Sequence, residues 1–140
     1  MDNKFKTSDF MKVIHAGGKP PNCDETLNIK INRAQDGVAQ CTWVVDERYL
    51  NGVGVVMGGF ISSAADIAMA YAISTLLEEN QSFASINLNT TFHRPLFVGD
   101  VHVEARVEKK GKKIVYLICE IVQNGKKVAN VDSSVIVLEN

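Results

Sequence analysis

Asp66 is the one carboxylate in the run NGVGVVMGGFISSAADIAMAYA, from Asn51 to Ala72. An ionised carboxylate in apolar surroundings is costly unless it is paired or hydrogen-bonded. One reading is structural: Ser62 or Ser63, one turn away, satisfies it, or it lies at the helix's one exposed edge. The other is chemical, because perturbed ionisable groups cluster at active sites. Such a carboxylate can take a proton from water or attack a carbonyl itself.

Gly58 and Gly59 stand where the chain enters the same helix. Glycines admit close approach to the backbone. The first N–H groups of a helix are unpaired and carry positive potential, so they can hold a developing oxyanion. A plain entry turn is the alternative. Asn51 opens the loop NGVG, where its amide orients a water or carbonyl or else serves an ordinary turn. Ser85 and Asn87 fall on one face of a strand, which faces solvent unless it meets a pocket. His93 and Arg94 sit at a strand end, and His102 faces outward. EKKGKK, from Glu108 to Lys113, is a basic hairpin turn able to meet phosphates.

The elements that must carry these residues are legible from period and punctuation. Thr7 or Ser8 caps a first helix, and GGKPP ends it. His15 at its end suits the helix dipole. TLNIKIN alternates, with Leu27, Ile29 and Ile31 on one face. Asp36-Gly37 is a turn, and VAQCTWVV returns with Trp43 in the core. Phe60–Leu77 is apolar nearly all round, which predicts a helix surrounded by protein. FASINLNTTFHRP then reads as one alternating strand. Its Ser85, Asn87, Asn89, Thr91 and His93 oppose Ala84, Ile86, Leu88, Thr90 and Phe92. VHVEARVE turns Val101, Val103, Ala105 and Val107 inward. IVYLICEIV, an NGK turn and VANVDSSVIVL complete the pattern. Two strands, one long helix and about four more strands imply an α+β domain whose antiparallel sheet curls round the helix. Exposed strand edges in such a sheet favour a dimer.

The 140 residues suit one domain, 1–140, with 1–22 as an N-terminal helix and loop. A net charge of −1 argues against a dedicated nucleic-acid binder. Cys23, Cys41 and Cys119 are scattered and odd in number, which argues against a disulfide framework or a zinc site. The first residues lack a secretory apolar core, and the long apolar stretch is interrupted by polar residues. A cytoplasmic protein that does not enter the membrane is expected.

The run NGVGVVMGGFISSAADIAMAYA, with the downstream SINLNTTFHRPLFVGDVHVEARVEKKGKKIVYLICEIVQNGKKVANVDSSVIV, resembles hotdog-fold thioesterases of the phenylacetic-acid-degradation (PaaI) type. The resemblance runs from about Gly37 to Leu138. It implies a long helix wrapped by a curved antiparallel sheet of five or six strands. It further implies a homodimer, often a homotetramer, with sites at the dimer interface that hydrolyse acyl-CoA without metal or other cofactor. Residue by residue, Asp66 matches the family's catalytic carboxylate and Gly58 its oxyanion donor. Asn51 matches a loop residue of the opposite subunit, and Ser85 the strand residue that holds the attacking water. Met57 stands where the family usually has His. A thioether donates no hydrogen bond, but it packs adaptably against acyl groups. Met57, Gly59, Arg94, Lys110 and Lys112 are the expected substrate contacts, the basic ones toward the phosphates of coenzyme A. Two rivals remain: a non-catalytic acyl-CoA-binding hotdog protein, and a hotdog hydratase or dehydratase. The latter would pair a His with a carboxylate, and no His lies beside this helix.

Overall fold

The computed structural model describes residues 5–140, so the first four residues of the expected N-terminal segment 1–22 lie outside it. Helix α1 spans Thr7–Ala16. Its cap is Lys6 rather than Thr7 or Ser8, because the Asp9 carboxylate accepts the Lys6 N–H at 2.7 Å. The Thr7 hydroxyl is engaged elsewhere, donating to the Gln81 carbonyl at 2.6 Å. A short helix unforeseen from the sequence, α2 (Asn22–Leu27), follows Pro21 and ends on a left-handed Asn28 with φ 59°. It takes Leu27 out of the alternating strand, which starts at Ile29 instead.

Strands β1 (Ile29–Gln35) and β2 (Val38–Val45) meet at Asp36 and Gly37, both with positive φ (52° and 80°), as a two-residue hairpin requires. Trp43 is buried, and its indole N–H reaches the Leu27 carbonyl at 2.8 Å. Helix α3 runs over Gly58–Ser74, so the paired glycines form its first turn. Thr75 closes it, donating to the Ala72 carbonyl at 2.8 Å and accepting the Gly37 N–H at 2.7 Å. The helix end is thereby pinned to the first hairpin.

The remaining strands are β3 (Gln81–Ser85), β4 (Asn89–Phe92), β5 (Gly99–Lys110), β6 (Ile114–Gln123) and β7 (Lys126–Glu139). They form one antiparallel sheet of seven strands in the order β1-β2-β5-β6-β7-β3, with β4 also paired to β7. This is the α+β hotdog arrangement, a curved sheet against a long helix. Val101, Val103 and Ala105 of β5 are buried against α3, as the alternation requires.

FASINLNTTFHRP is not one strand. Ser85 pairs with Val135, and Asn89 pairs with Asp132. Three residues, Ile86, Asn87 and Leu88, therefore face only Ser133 and Ser134 of β7. One extra residue reverses the facing of everything beyond it. Directly paired residues share a face, so Ser85 lies on the buried side with Val135, and Thr90 lies there with Val131. The expected division, Ser85 opposite Thr90 and Phe92, is corrected by this shift.

The sheet covers α3 incompletely. Ala64, Ala65, Ala68 and Ala72 are fully buried, and the helix packs chiefly on β5, β2 and β6. Gly59 and Asp66 are exposed, with Ser62, Ser63 and Ala70 half-buried beside them. The expectation of a helix enclosed all round fails along this one stripe. No helix among the described residues is long and apolar enough to cross a membrane.

One buried charge ties α2 to α3. The Tyr71 hydroxyl donates to Asp24 Oδ2 at 2.5 Å. Burial, only partly offset by that bond and by the weaker contact from Cys23, raises the Asp24 pKa above its ordinary 3.8. A carboxyl raised in the folded state stabilises most at low pH, and this contribution is lost as pH climbs through the raised value. Asp24→Asn keeps an acceptor for Tyr71 and has no charge to bury. Urea unfolding across pH 4 to 8 should therefore show Asp24→Asn gaining on the parent as pH rises; a constant difference would contradict it.

Candidate active site

The α3 N-terminus is held open from both sides. The Met57 N–H donates to the Tyr49 carbonyl at 3.0 Å, and the Met57 carbonyl accepts from Phe60 at 3.0 Å. No side chain caps the helix. Among the described residues the Gly58 and Gly59 N–H groups have no partner. Gly58 borders an open pocket of about 430 Å³ with Val55, Val56, Ile61, Phe92 and Leu96, and with Arg94 among its rim residues. The Phe92 ring lies directly on Gly58: a Cβ added there would meet its Cζ at 2.7 Å. Sequence reasoning placed Phe92 only on one face of an alternating strand. Its placement over the glycine follows from the β3–β4 register shift, which alternation alone does not reveal.

Asp66 lies farther along the same helix. Neither serine satisfies it. Ser62 Oγ is 2.7 Å from Thr90 Oγ1, and Ser63 Oγ donates to the Gly59 carbonyl at 2.9 Å. No side chain among the described residues hydrogen-bonds the carboxyl, and desolvation by the surrounding chain raises its pKa above 3.8. One side of the carboxyl nevertheless stays open to solvent. It is thus neither fully buried nor paired.

The helix register locates it. Gly58 meets Phe92 and Ser62 meets Thr90, so four residues of helix advance two of strand. At roughly 1.5 Å and 3.3 Å per residue these steps match. One more turn carries Asp66 to the gap between β4 and β3, toward Ser85, the last residue of β3 on the helix side. Asp66 and Ser85 both lie beyond Thr90 in the same direction from Gly58. Gly58 does not join them, because eight residues of helix place it roughly 12 Å away along the axis.

Asn51 organises its own loop. Its Oδ1 accepts the N–H groups of Val53 at 3.0 Å and Val55 at 3.2 Å. That occupies the amide oxygen and leaves the NH2 as the group it can offer. Met57 is 48% exposed beside the glycines. Arg94 is fixed by a bond from Nη1 to the Lys127 carbonyl at 2.7 Å. Lys110 and Lys112 sit in or next to the β5–β6 turn, whose Lys113 carbonyl accepts the Val137 N–H. From Lys127 to Val137, β7 spans roughly 33 Å of extended chain. A single chain does not bring Arg94 and these lysines together. His93 contacts Asn130 Oδ1 with its Nε2 at 2.5 Å, and Asn130, flanked by buried Ala129 and Val131, alternates to the outer sheet face. It is no partner for Asp66.

A helix N-terminus with free N–H groups, and an unpaired carboxyl two turns on, are the parts that acyl-transfer chemistry needs. They stand on a hotdog fold, and comparison with known proteins shows the family to which that fold belongs here. The sequence model of the Thioesterase superfamily matches residues 53–130, and the chain belongs to that family. Within it the chain is of the PaaI type. The acyl-coenzyme A thioesterase PaaI of Escherichia coli K12 is 34% identical over 116 residues, covering 81% of this chain and 79% of that one. The solved structure of the E. coli PaaI protein superposes with a TM-score of 0.83 at 28% identity, over 97% of this chain and 98% of that one. A phenylacetic acid degradation-related protein of Ralstonia eutropha JMP134 gives 0.85 at 30% identity, over 91% and 98%. Other curated relatives match over part of their length: 65% of one from Pseudomonas aeruginosa and 47% of one from Caenorhabditis elegans.

The contact between Gly58 and Phe92 makes a stability prediction. Gly58→Ala in the parent should gain less than helix propensity offers, because the ring must move. In a Phe92→Ala background it should be stabilising. A double-mutant cycle in urea should show a coupling of about 0.5 to 3 kcal/mol; additive effects would mean that the ring does not press on the glycine.

Proposed function

We propose that the chain hydrolyses acyl-CoA thioesters to free acid and coenzyme A, at sites that two copies build together. The separation of Gly58 from Asp66 carries this reading. A thioester carbonyl must lie within hydrogen-bond reach of its oxyanion donor and about 3–3.5 Å from its nucleophile. Roughly 12 Å of helix keeps the two groups of one chain from serving one carbonyl. A second copy, presenting its own glycine turn and Asn51 loop to Asp66, meets the requirement. The outer edges of β3 and β4, with exposed Ile86, Leu88 and Phe92 nearby, offer the surface for it. A homodimer follows, and two dimers back to back would make the homotetramer.

In the proposed reaction Asp66 accepts a proton from a water steered by the Ser85 hydroxyl. The hydroxide oxygen bonds to the carbonyl carbon. The oxyanion is held by the partner copy's Gly58 N–H, with Gly59 adjoining and the Asn51 NH2 in reach. Collapse breaks the C–S bond, and the proton on Asp66 passes to the departing thiolate. No cofactor is required. Met57 and Phe92 line the acyl side, which suits medium-chain or aryl groups. Arg94 of one copy and Lys110 and Lys112 of another would share the phosphates of coenzyme A. Binding should then weaken with salt.

The reading of a non-catalytic binder draws on Met57, which cannot donate a hydrogen bond where the family usually has His. Release of free thiol from acetyl-, medium-chain and phenylacetyl-CoA separates the two. Asp66→Ala should lower kcat by about a hundredfold or more while leaving the fold intact. No release from any thioester favours the binder, and full activity in Asp66→Ala excludes the mechanism.

The pH dependence has a definite sign. Asp66 works as a base only when ionised, and its pKa is raised above 3.8 by desolvation. The acid limb of kcat/KM should therefore lie above the ordinary aspartate value, with activity falling as pH drops through it. An acid limb at or below 3.8 would contradict a desolvated Asp66 base.

A further inference from the structure

Ser85 shares the helix side with Thr90 and Phe92 only because β3 and β4 pair with β7 one residue out of step. Three hydrogen bonds fasten that step. The Ile86 N–H donates to the Ser134 carbonyl at 2.8 Å. The Ser134 N–H donates to Asn87 Oδ1 at 2.8 Å, so a side-chain amide takes the place of a ladder carbonyl. The Ser133 hydroxyl, on a side chain only 1% exposed, donates to the Asn87 backbone carbonyl at 2.7 Å. Asn87 thus closes the bulge from both its side chain and its backbone.

The alternative register is close at hand. Continuous pairing along β7 would place Ser85 on the opposite face from Thr90 and Phe92, as simple alternation requires. It would leave buried Ser133 without its acceptor. We infer that Asn87, backed by Ser133, is a positioning residue for the proposed hydrolysis: it holds the one-residue bulge that keeps Ser85 on the same face as Thr90 and Phe92, the face toward α3. This rests on the thioesterase reading above. It concerns a residue that touches neither substrate nor Asp66. Asn87 Oδ1 makes the only hydrogen bond of that side chain among the described residues, so Asn87→Asp retains what the clasp uses.

The test combines kinetics with amide exchange on the full chain. Asn87→Ala should lower kcat about tenfold to a hundredfold with KM little changed, as expected when a catalytic group is misplaced. Asn87→Asp should recover most of the loss. In a Ser85→Ala background, Asn87→Ala should cost nothing further, because both remove the same function. Exchange at the Ser134 amide should accelerate in Asn87→Ala but not in Ser85→Ala, and Ser133→Ala serves as a milder second variant. Additive kinetic losses, or a KM effect without a kcat effect, would overturn the positioning role. A Ser134 amide equally protected in Asn87→Ala would overturn the clasp whether or not a thioester is cleaved. Absence of thiol release by the parent chain would instead overturn the hydrolysis reading, and exchange would still decide the clasp.

Discussion

The structure turns on a helix that its own sheet covers only in part. Nearly half of α3 is alanine and isoleucine, and the small side chains let β2, β5 and β6 approach closely. Burying that surface supplies a large share of the driving force for folding. The same packing leaves one stripe, from Gly59 past Ser62 and Ser63 to Asp66 and Ala70, without cover. A carboxyl on that stripe is shielded enough to shift its pKa upward, yet retains an open side. Fully buried, it would be paired or neutralised; fully solvated, it would be an ordinary surface aspartate.

β7 does the complementary work. It pairs with β6 along one side and with both β3 and β4 along the other. The change of register along that second side decides which residues of the chain after α3 look at the helix. Phe92 lands on Gly58, Thr90 on Ser62, and Ser85 beyond them on the same face. Helix and strand run in matched steps, so a site spaced along α3 can be served by residues spaced along β3 and β4.

Much of this was legible in the sequence, and the failures are informative. Asp36-Gly37 and Asn124-Gly125 take the positive φ values their turns demand, and the long apolar helix is present within a few residues of its expected bounds. The buried face of β5 follows directly from alternation. The bulge at Asn87 was hidden because FASINLNTTFHRP alternates acceptably in either register, and long-range hydrogen bonds to Ser133 and Ser134 make the choice. Helix α2 was missed because six residues carry too little periodicity. The sequence leaves two ways to satisfy Asp66, its local serines, open until Thr90 and the Gly59 carbonyl claim them. The basic residues were grouped by charge alone, whereas the sheet sets Arg94 and the Lys110–Lys112 turn at opposite ends of β7.

The central claim is that one thioester is served by Asp66 of one copy and the loop of another. Subunit complementation tests it most directly. Asp66→Ala and Asn51→Ala chains, each weakened alone, are unfolded together and reassembled, and free-thiol release is measured on the mixture with hybrid assembly verified by native mass spectrometry. A composite site predicts recovered activity, because each hybrid contains one site with both residues intact. Hybrids that form but regain no activity over the separate variants would contradict the account.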